Sequence, residues 1–428
     1  MGVIGDLLKD VPIPRMVLVG QKFPDNVISN VEELLRAELH QPEVLYRIKP
    51  GARIAVCVGS RGMAQIPILV KVVVDEIKKR NGKPFIVPAM GSHGGATAKG
   101  QIDVLASLGV TEASVGCPVI SSMEVVKIGC LNNGLDVLVD KNAYEADGIV
   151  LINRIKAHNA FSGPNESGIA KMLTIGLGKQ KGADSCHRWG FKYMPKFIVE
   201  MAKIKIDKLP VLFGIGTIEN AYDHISKIKV LLAENIIEDE RKLLCEAKKQ
   251  MPKLLLKPLD VLLVDYMGKE FSGGGMDPYT TGRPPTPYVQ CGLSPTRMVV
   301  FDLTNRSHGN ACGVGLADIT TKRLFKKVDF DFTYANLLTS TVVTSARIPM
   351  MMESDELAIK AAVKTSGISN WNDIRMVRIA NTLNIKKILV SEALLPEVKD
   401  NPQLEILGLP TSISFDIERN IVDLGKWI

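Results

Sequence analysis

The chain of 428 residues has few aromatic side chains, only six histidines and no long apolar run. Aromatic residues make up 5% of the sequence, which leaves few stacking platforms for single-stranded nucleic acid. No apolar segment approaches the roughly 20 residues that a membrane-spanning helix needs. The N-terminus lacks the apolar core of a signal peptide. We therefore expect a cytoplasmic protein that binds neither nucleic acid nor a membrane.

Several common site signatures are also missing. The seven cysteines form no CxxC pair and are odd in number, which argues against a disulfide framework or a structural zinc knuckle. The glycine loops match neither the P-loop spacing GxxxxGK[ST] nor the Rossmann spacing GxGxxG. A GxSxG nucleophile elbow is absent too. The net charge of +7 comes from scattered basic residues, which fits a solvated surface or an anionic small-molecule ligand.

The order of predicted elements indicates an α/β fold with two domains, mainly parallel sheets and a cofactor cleft between the domains. Two prolines within residues 251–258 suggest the boundary. We predict an N-terminal catalytic and cofactor-anchoring domain over residues 1–255, rejoined by about 410–428, and a C-terminal domain over 256–409. The predicted strands cover residues 53–58, 84–87, 148–152, 211–216, 260–265, 298–303 and 387–390. The predicted helices include 66–80, 97–108, 236–250, 354–364 and 372–383.

Residues 158–187 are the most informative segment, because a histidine stands at each end and three lysines and five glycines lie between them. A further histidine, His93, lies in the glycine loop 91–95. Taken singly, His93 and His158 could equally be structural, and Lys171 could be a surface lysine. However, Arg61, His93 and His158 each follow a predicted strand. The carboxyl ends of parallel strands share one edge of the sheet, where ligands bind.

These residues carry a resemblance over essentially the full length of the chain. The sequence resembles the nickel-dependent lactate racemase family. Four elements match in order and spacing, namely Arg61 at the end of the first strand, His93 in the second glycine loop, His158 after a buried strand, and the segment 162–187. In that segment the lysine of the family pattern is Lys171, and the histidine sixteen residues later is His187.

The resemblance implies a cofactor, the nickel-pincer nucleotide (nickel pyridinium-3-thioamide-5-thiocarboxylic acid mononucleotide). Lys171 matches the lysine that holds this cofactor as a thioamide. His187 matches the nitrogen ligand that completes the square around nickel, whose other three positions belong to the cofactor. Gly59, Ser60 and Gly91 are the expected cofactor-binding positions in the loops.

The resemblance further implies an isomerase, a racemase or epimerase of 2-hydroxy acids that works by reversible hydride transfer. His93 and His158 would be the catalytic acid–base groups on opposite sides of the reacting carbon, since an unperturbed imidazole suits proton exchange near neutral pH. Arg61 would hold the substrate carboxylate with two hydrogen bonds. A second cation, Lys269 or Arg283, could assist in binding the substrate.

The sequence departs from the family pattern at three places. Val58 stands where an acidic residue is expected, Gly94 stands where an arginine often follows the first catalytic histidine, and the run 162–168 is longer. These changes suggest a substrate larger than lactate, such as a sugar acid.

Two alternative functions remain open. One is a zinc-dependent hydrolase with His93, His158 and His187 around a bound water. The other is a non-catalytic binding protein of the same fold.

Overall fold

The computed structural model describes residues 2–60, 62–292 and 294–427. The chain folds as two compact units. We call residues 24–251 the N-terminal unit, and residues 1–23 together with 252–428 the C-terminal unit. The chain passes from one to the other at Met251, within the proline-bearing segment of the predicted boundary.

The strands of the described chain, in order, are β1 Met16–Gln21, β2 Arg53–Val58, β3 Lys83–Pro88, β4 Val125–Cys130, β5 Asp136–Asp140, β6 Gly148–Arg154, β7 Val211–Glu219, β8 Ile225–Leu232, β9 Val261–Met267, β10 Arg297–Leu303, β11 Ile319–Thr321, β12 Met350–Met352, β13 Met376–Ile379, β14 Lys387–Ser391 and β15 Leu404–Ile406.

The helices of the described chain, in order, are α1 Val3–Leu8, α2 Val31–Leu39, α3 Ile66–Lys79, α4 Ala98–Ser107, α5 Glu112–Val115, α6 Lys141–Tyr144, α7 Ile169–Lys171, α8 Lys179–His187, α9 Met194–Lys208, α10 Ile236–Gln250, α11 Pro278–Thr281, α12 Lys322–Phe325, α13 Phe330–Ser340, α14 Asp355–Thr365 and α15 Leu395–Asp400. A π-helical turn, Met172–Gly176, separates α7 from α8.

The N-terminal unit is built on a sheet with strand order β3-β2-β6-β7-β8. The first four strands are parallel and β8 is antiparallel to β7. β2 and β6 are almost continuously buried, as expected for parallel strands covered on both faces. Because they are parallel, β2, β3 and β6 end at one edge of the sheet, as the sequence predicts. The helix α4 follows β3 and is capped by Thr97, whose side chain accepts the Gly100 N–H.

The C-terminal unit is built on a sheet with strand order β12-β11-β10-β9-β13-β14-β1-β15 among the described residues. The strands from β12 to β13 are parallel, and β14, β1 and β15 run antiparallel to their neighbours. Alternate residues of β9 contribute to two separate apolar clusters, because Leu262 and Val264 pack on one face and Val261 and Leu263 on the other. The predicted α/β class with mainly parallel sheets is confirmed.

Both ends of the chain differ from the predicted domain division. Residues 1–23 and 410–428 were expected to belong to the N-terminal domain, whereas both lie in the C-terminal unit. The reason is strand pairing. β1 lies between β14 and β15, with Met16 opposite Ser391 and Val19 opposite Ile406. The C-terminal tail is held in the same unit by the Trp427 indole N–H, which donates to Asp265 Oδ2 of β9 at 2.8 Å.

The helix predicted at 372–383 was wrong. That stretch contains β13, a short strand buried between β9 and β14. Its Arg378 is 1% exposed and donates from Nε to Asp265 Oδ1 at 2.7 Å. In the sequence, the charge of Arg378 suggests a position on the polar face of a helix. In the structure, the buried carboxylate of Asp265 pairs with this charge inside the sheet.

Candidate active site

The first part of the site is a glycine loop that follows β3. Gly91, Gly94 and Gly95 all have positive φ angles, of 60°, 68° and 63°. A Cβ atom on Gly94 would lie 2.5 Å from the carbonyl carbon of Gly100, so the loop requires glycine there for both conformation and space. The loop presents an exposed His93, whose Nδ1 is hydrogen-bonded to Ser60 Oγ after β2. This hydrogen bond therefore joins the loops that follow the neighbouring strands β2 and β3.

The second histidine, His158, follows β6 and is half-buried. Its backbone N–H donates to Glu166 Oε2 at 2.7 Å, and its ring stacks on Phe161 with centroids 4.3 Å apart. The Ala160 N–H donates to His158 Nδ1 at 3.0 Å. Because Nδ1 accepts this hydrogen bond, the neutral ring carries its proton on Nε2.

A buried carboxylate organises the loop around His158. Glu166 is 1% exposed and also accepts the Gly163 N–H at 2.9 Å and a hydrogen bond from Lys248 Nζ of α10 at 2.6 Å. Glu166 belongs to the run 162–168. This run therefore folds around a carboxylate that fixes the backbone of His158.

Lys171 and His187 are brought close together by α7, the π-helical turn and α8. Both are half-buried, and His187 is the last residue of α8. Burial lowers the pKa of His187 to about 4, and the positive charge of Lys171 contributes to this lowering. His187 is therefore neutral at physiological pH, as a metal-binding imidazole must be. Burial raises the pKa of the neighbouring Cys186 thiol to about 12, so this thiol stays protonated.

Phe191 connects His187 with His158. The Phe191 ring centroid lies 5.6 Å from that of His187 and 5.9 Å from that of His158. Phe161 stacks behind His158 and lies 6.2 Å from Phe191. The rings of Phe161 and Phe191 therefore form an aromatic cluster that lies against both ends of the segment 158–187, namely His158 and His187.

Two buried side chains that the sequence did not reveal support the segment around Lys171. Lys205 of α9 is fully buried and donates to the carbonyl oxygens of Leu173 at 2.6 Å and Thr174 at 3.2 Å, within the π-helical turn. Burial lowers the pKa of Lys205 to about 7. Glu240 of α10 accepts the Ala170 N–H at 2.9 Å, and burial raises the pKa of this carboxyl group. Both lie in helices with many charged residues, so their sequence gives no sign of burial.

The other residues predicted to bind the cofactor or the substrate lie in both units of the chain. Arg61 lies outside the described residues. A Cβ atom on Gly59 would lie 3.3 Å from Met172 Cε, so Gly59 allows the π-helical turn to approach β2. In the C-terminal unit, Lys269 Nζ donates to Gly273 O at 2.6 Å and to Asn336 Oδ1 at 2.7 Å. Arg283 forms an ion pair with Asp318 at 2.8 Å. A role of Lys269 or Arg283 in substrate binding stays a prediction.

The described residues include no group of three or more histidine, cysteine, aspartate or glutamate side chains arranged to hold a metal ion. The three-histidine zinc site of the hydrolase alternative is therefore not formed by His93, His158 and His187 as they stand. Within the described chain, none of the helices combines the length and apolarity needed to cross a bilayer.

Comparison with known proteins adds three findings. Residues 15–195 match the family model described as the lactate racemase N-terminal domain. A solved protein from Thermotoga maritima is similar in fold, with a TM-score of 0.51 and 13% identity over 76% of this chain and 84% of that chain. The lactate racemase apoprotein from Thermoanaerobacterium thermosaccharolyticum aligns with a TM-score of 0.48 and 14% identity over 79% of this chain and 87% of that chain. A search of curated proteins gave no match.

Proposed function

We propose that this chain, whose residues 15–195 match the lactate racemase N-terminal domain model, is a 2-hydroxy acid racemase or epimerase that uses a nickel-pincer nucleotide. The match supports racemase-type activity in general. The observation that carries the more specific proposal is that His158 and His187, the two ends of the segment that contains Lys171, both lie against the Phe191 ring.

The residues of the site fit such a cofactor. A nickel ion that receives three of its four ligands from the cofactor needs one nitrogen from the protein, and the neutral His187 can supply it. The amine of Lys171 is the group that would anchor the cofactor covalently. The glycine loop before α4 can offer backbone N–H groups to a phosphate. When bound, the cofactor supplies an acceptor for the hydride of the substrate.

The two proposed catalytic histidines differ in the hydrogen bond made by Nδ1 and therefore in which ring nitrogen can accept a proton. If His93 donates its Nδ1–H to Ser60 Oγ, its Nε2 is unprotonated and can accept the hydroxyl proton of a substrate. His158 accepts at Nδ1 from Ala160, so in the neutral ring its Nε2 carries the proton. Proton acceptance by His158 therefore requires that its contact with Ala160 open, or that the ring reorient, when a substrate binds.

The substrate is proposed as a 2-hydroxy acid, a class that includes sugar acids as well as lactate. This proposal is tested by incubating cofactor-loaded protein with single enantiomers or epimers of a panel of 2-hydroxy acids and measuring the stereochemical composition. We expect interconversion of at least one member, with nickel bound to the protein. Hydrolytic activity with stoichiometric zinc would instead favour the hydrolase alternative. Absence of interconversion throughout the panel by nickel-loaded protein would contradict the proposal.

The cofactor anchor is tested separately by intact-mass spectrometry of the loaded protein. The Lys171→Ala variant should lose the covalent adduct, because Lys171 is the amine beside His187. Lys181→Ala is the matched control, since Lys181 is exposed on α8 and should retain the adduct. An unchanged adduct in Lys171→Ala would show that another residue is the anchor.

A further inference from the structure

The fully buried Lys179 is the first residue of α8, the helix that ends at His187. Its Nζ donates to the carbonyl oxygen of Pro88 at 2.5 Å and to Gln101 Oε1 at 2.8 Å. It also lies 3.3 Å from Oδ2 of Asp140, which is equally buried. Burial lowers the pKa of Lys179, and the negative charge of Asp140 opposes this lowering. One cation thus ties α8 to the ends of β3 and β5 and to α4.

The buried network continues from Lys179 to the loop that carries His93. The amide nitrogen of Gln101 donates to the carbonyl oxygens of Gly91 at 2.9 Å and His93 at 3.3 Å. Gln101 is 0% exposed, so its amide is enclosed between Lys179 on one side and the loop on the other. A second link runs in parallel, because the Gly91 N–H donates to Gly176 O at 3.0 Å.

The backbone of Lys179 shows that this arrangement is maintained against strain. Its φ angle is +53°, a left-handed conformation that is unfavourable for a residue with a side chain. Such a conformation persists only where surrounding contacts fix it, and it is most frequent near functional sites. Here the contacts that fix it are the three polar partners of its ammonium group.

We propose that Lys179 and Gln101 are positioning residues that fix the His93 ring relative to the helix carrying His187. Neither side chain is exposed, so both act through the loop and not by touching a substrate. The structural part of the proposal concerns the placement of His93. Its catalytic consequence rests on the proposed racemase function, in which a displacement of about 1 Å can reduce the rate by roughly 100-fold.

The first test uses Gln101→Met in protein without cofactor. Methionine keeps the length and neutrality of the side chain but removes both N–H donors to the loop. We expect the imidazole ¹⁵N chemical shifts of His93, assigned with His93→Gln, to move towards the tautomer ratio of a free histidine as the Ser60 contact weakens. Gln180→Met is the matched control, because Gln180 is exposed and lies next to Lys179. It should leave the His93 shifts unchanged.

The second test removes the buried ion pair as a unit. Lys179→Met combined with Asp140→Asn leaves no uncompensated buried charge, which keeps the variant foldable. Lys181→Met is its exposed control. In loaded enzyme we expect kcat to fall about 10- to 100-fold, with nickel content and KM close to wild type. In unloaded protein the His93 ¹⁵N shifts should move as in Gln101→Met.

The two proposals can fail separately. Unchanged His93 ¹⁵N shifts in folded Gln101→Met and in the folded double variant would overturn the positioning role, whatever the enzyme catalyses. If the shifts move but the wild-type protein interconverts no 2-hydroxy acid, the positioning role stands and the proposed function fails.

Discussion

At the scale of single residues, burial has opposite effects on the pKa of the neighbouring Cys186 and His187 and favours His187 as the metal ligand. Cys186 carries a thiol, a soft group that could also bind nickel. In the structure burial raises the pKa of the Cys186 thiol to about 12, whereas burial and Lys171 lower the pKa of His187 to about 4. The low-pKa imidazole is ready to ligate at neutral pH, and the thiol must first lose a proton.

This difference gives a prediction for nickel retention. His187→Ala should lose most of the nickel from cofactor-loaded protein, because water is a poorer fourth ligand than imidazole. Cys186→Ala should retain it. Metal analysis after gel filtration measures both. Loss of nickel from Cys186→Ala together with retention by His187→Ala would reverse the ligand assignment.

A second residue-scale prediction concerns Lys205, whose pKa is lowered by burial to about 7. In the unfolded chain a lysine titrates near 10.4. Between these values the unfolded state binds more protons than the folded state, so Lys205 makes the free energy of unfolding rise with pH from about 7 to about 10. Below pH 7 both states are protonated, and Lys205 adds no pH dependence.

Urea unfolding of wild type and Lys205→Met between pH 6 and pH 10 tests this prediction. The difference between their free energies of unfolding should be constant below pH 7 and should then shift in favour of wild type as the pH rises. Lys203→Met, an exposed change in the same helix, should follow the wild-type profile. Parallel profiles for wild type and Lys205→Met would show that Lys205 does not titrate in this range.

At the scale of elements, most of the secondary structure was predictable because its signals are local. α10 begins and ends at the predicted residues, and α4 begins one residue after its predicted start and ends one residue before its predicted end. The π-helical turn was not predicted, since its support comes from Lys205, about thirty residues later in the chain. β13 was missed because a buried partner, Asp265, satisfies its Arg378, and no local pattern reveals such a partner.

The glycine loop gives a prediction at the same scale. Gly94 and Gly95 have nearly equal φ angles, but a Cβ atom on Gly94 would collide with Gly100, whereas one on Gly95 meets nothing within 4 Å. Gly95→Ala should therefore lower the free energy of unfolding by about 1–2 kcal/mol through backbone strain alone. Gly94→Ala should cost about 2–5 kcal/mol, because overpacking is added.

Thermal or urea unfolding of the two alanine variants measures this difference directly. Equal losses of stability would mean that the loop relaxes around the new methyl group. That result would also weaken the view that the loop holds His93 in a fixed place.

At the scale of the whole molecule, the two-unit α/β organisation was predictable, but the assignment of the chain ends was not. β1 pairs with strands whose residues follow it by about 370 positions or more, and local periodicity contains no information about such a partner. The placement of the candidate residues His93 and His158 after the strands β3 and β6 was predictable. The buried supports of the site, Glu166, Gln101, Lys179, Lys205 and Glu240, were not, because charged and amide side chains normally indicate a surface.

The central claim is that His93 and His158 exchange protons with a substrate while His187 binds the metal. The most direct test measures nickel content and racemisation rate together in His93→Ala and His158→Ala. Acid–base groups typically contribute about 10²–10⁴-fold to a rate, so both variants should keep nickel and lose most turnover in both directions. Loss of metal from both variants would show that these histidines are ligands, and near-full rates with nickel retained would show that the catalytic site lies elsewhere.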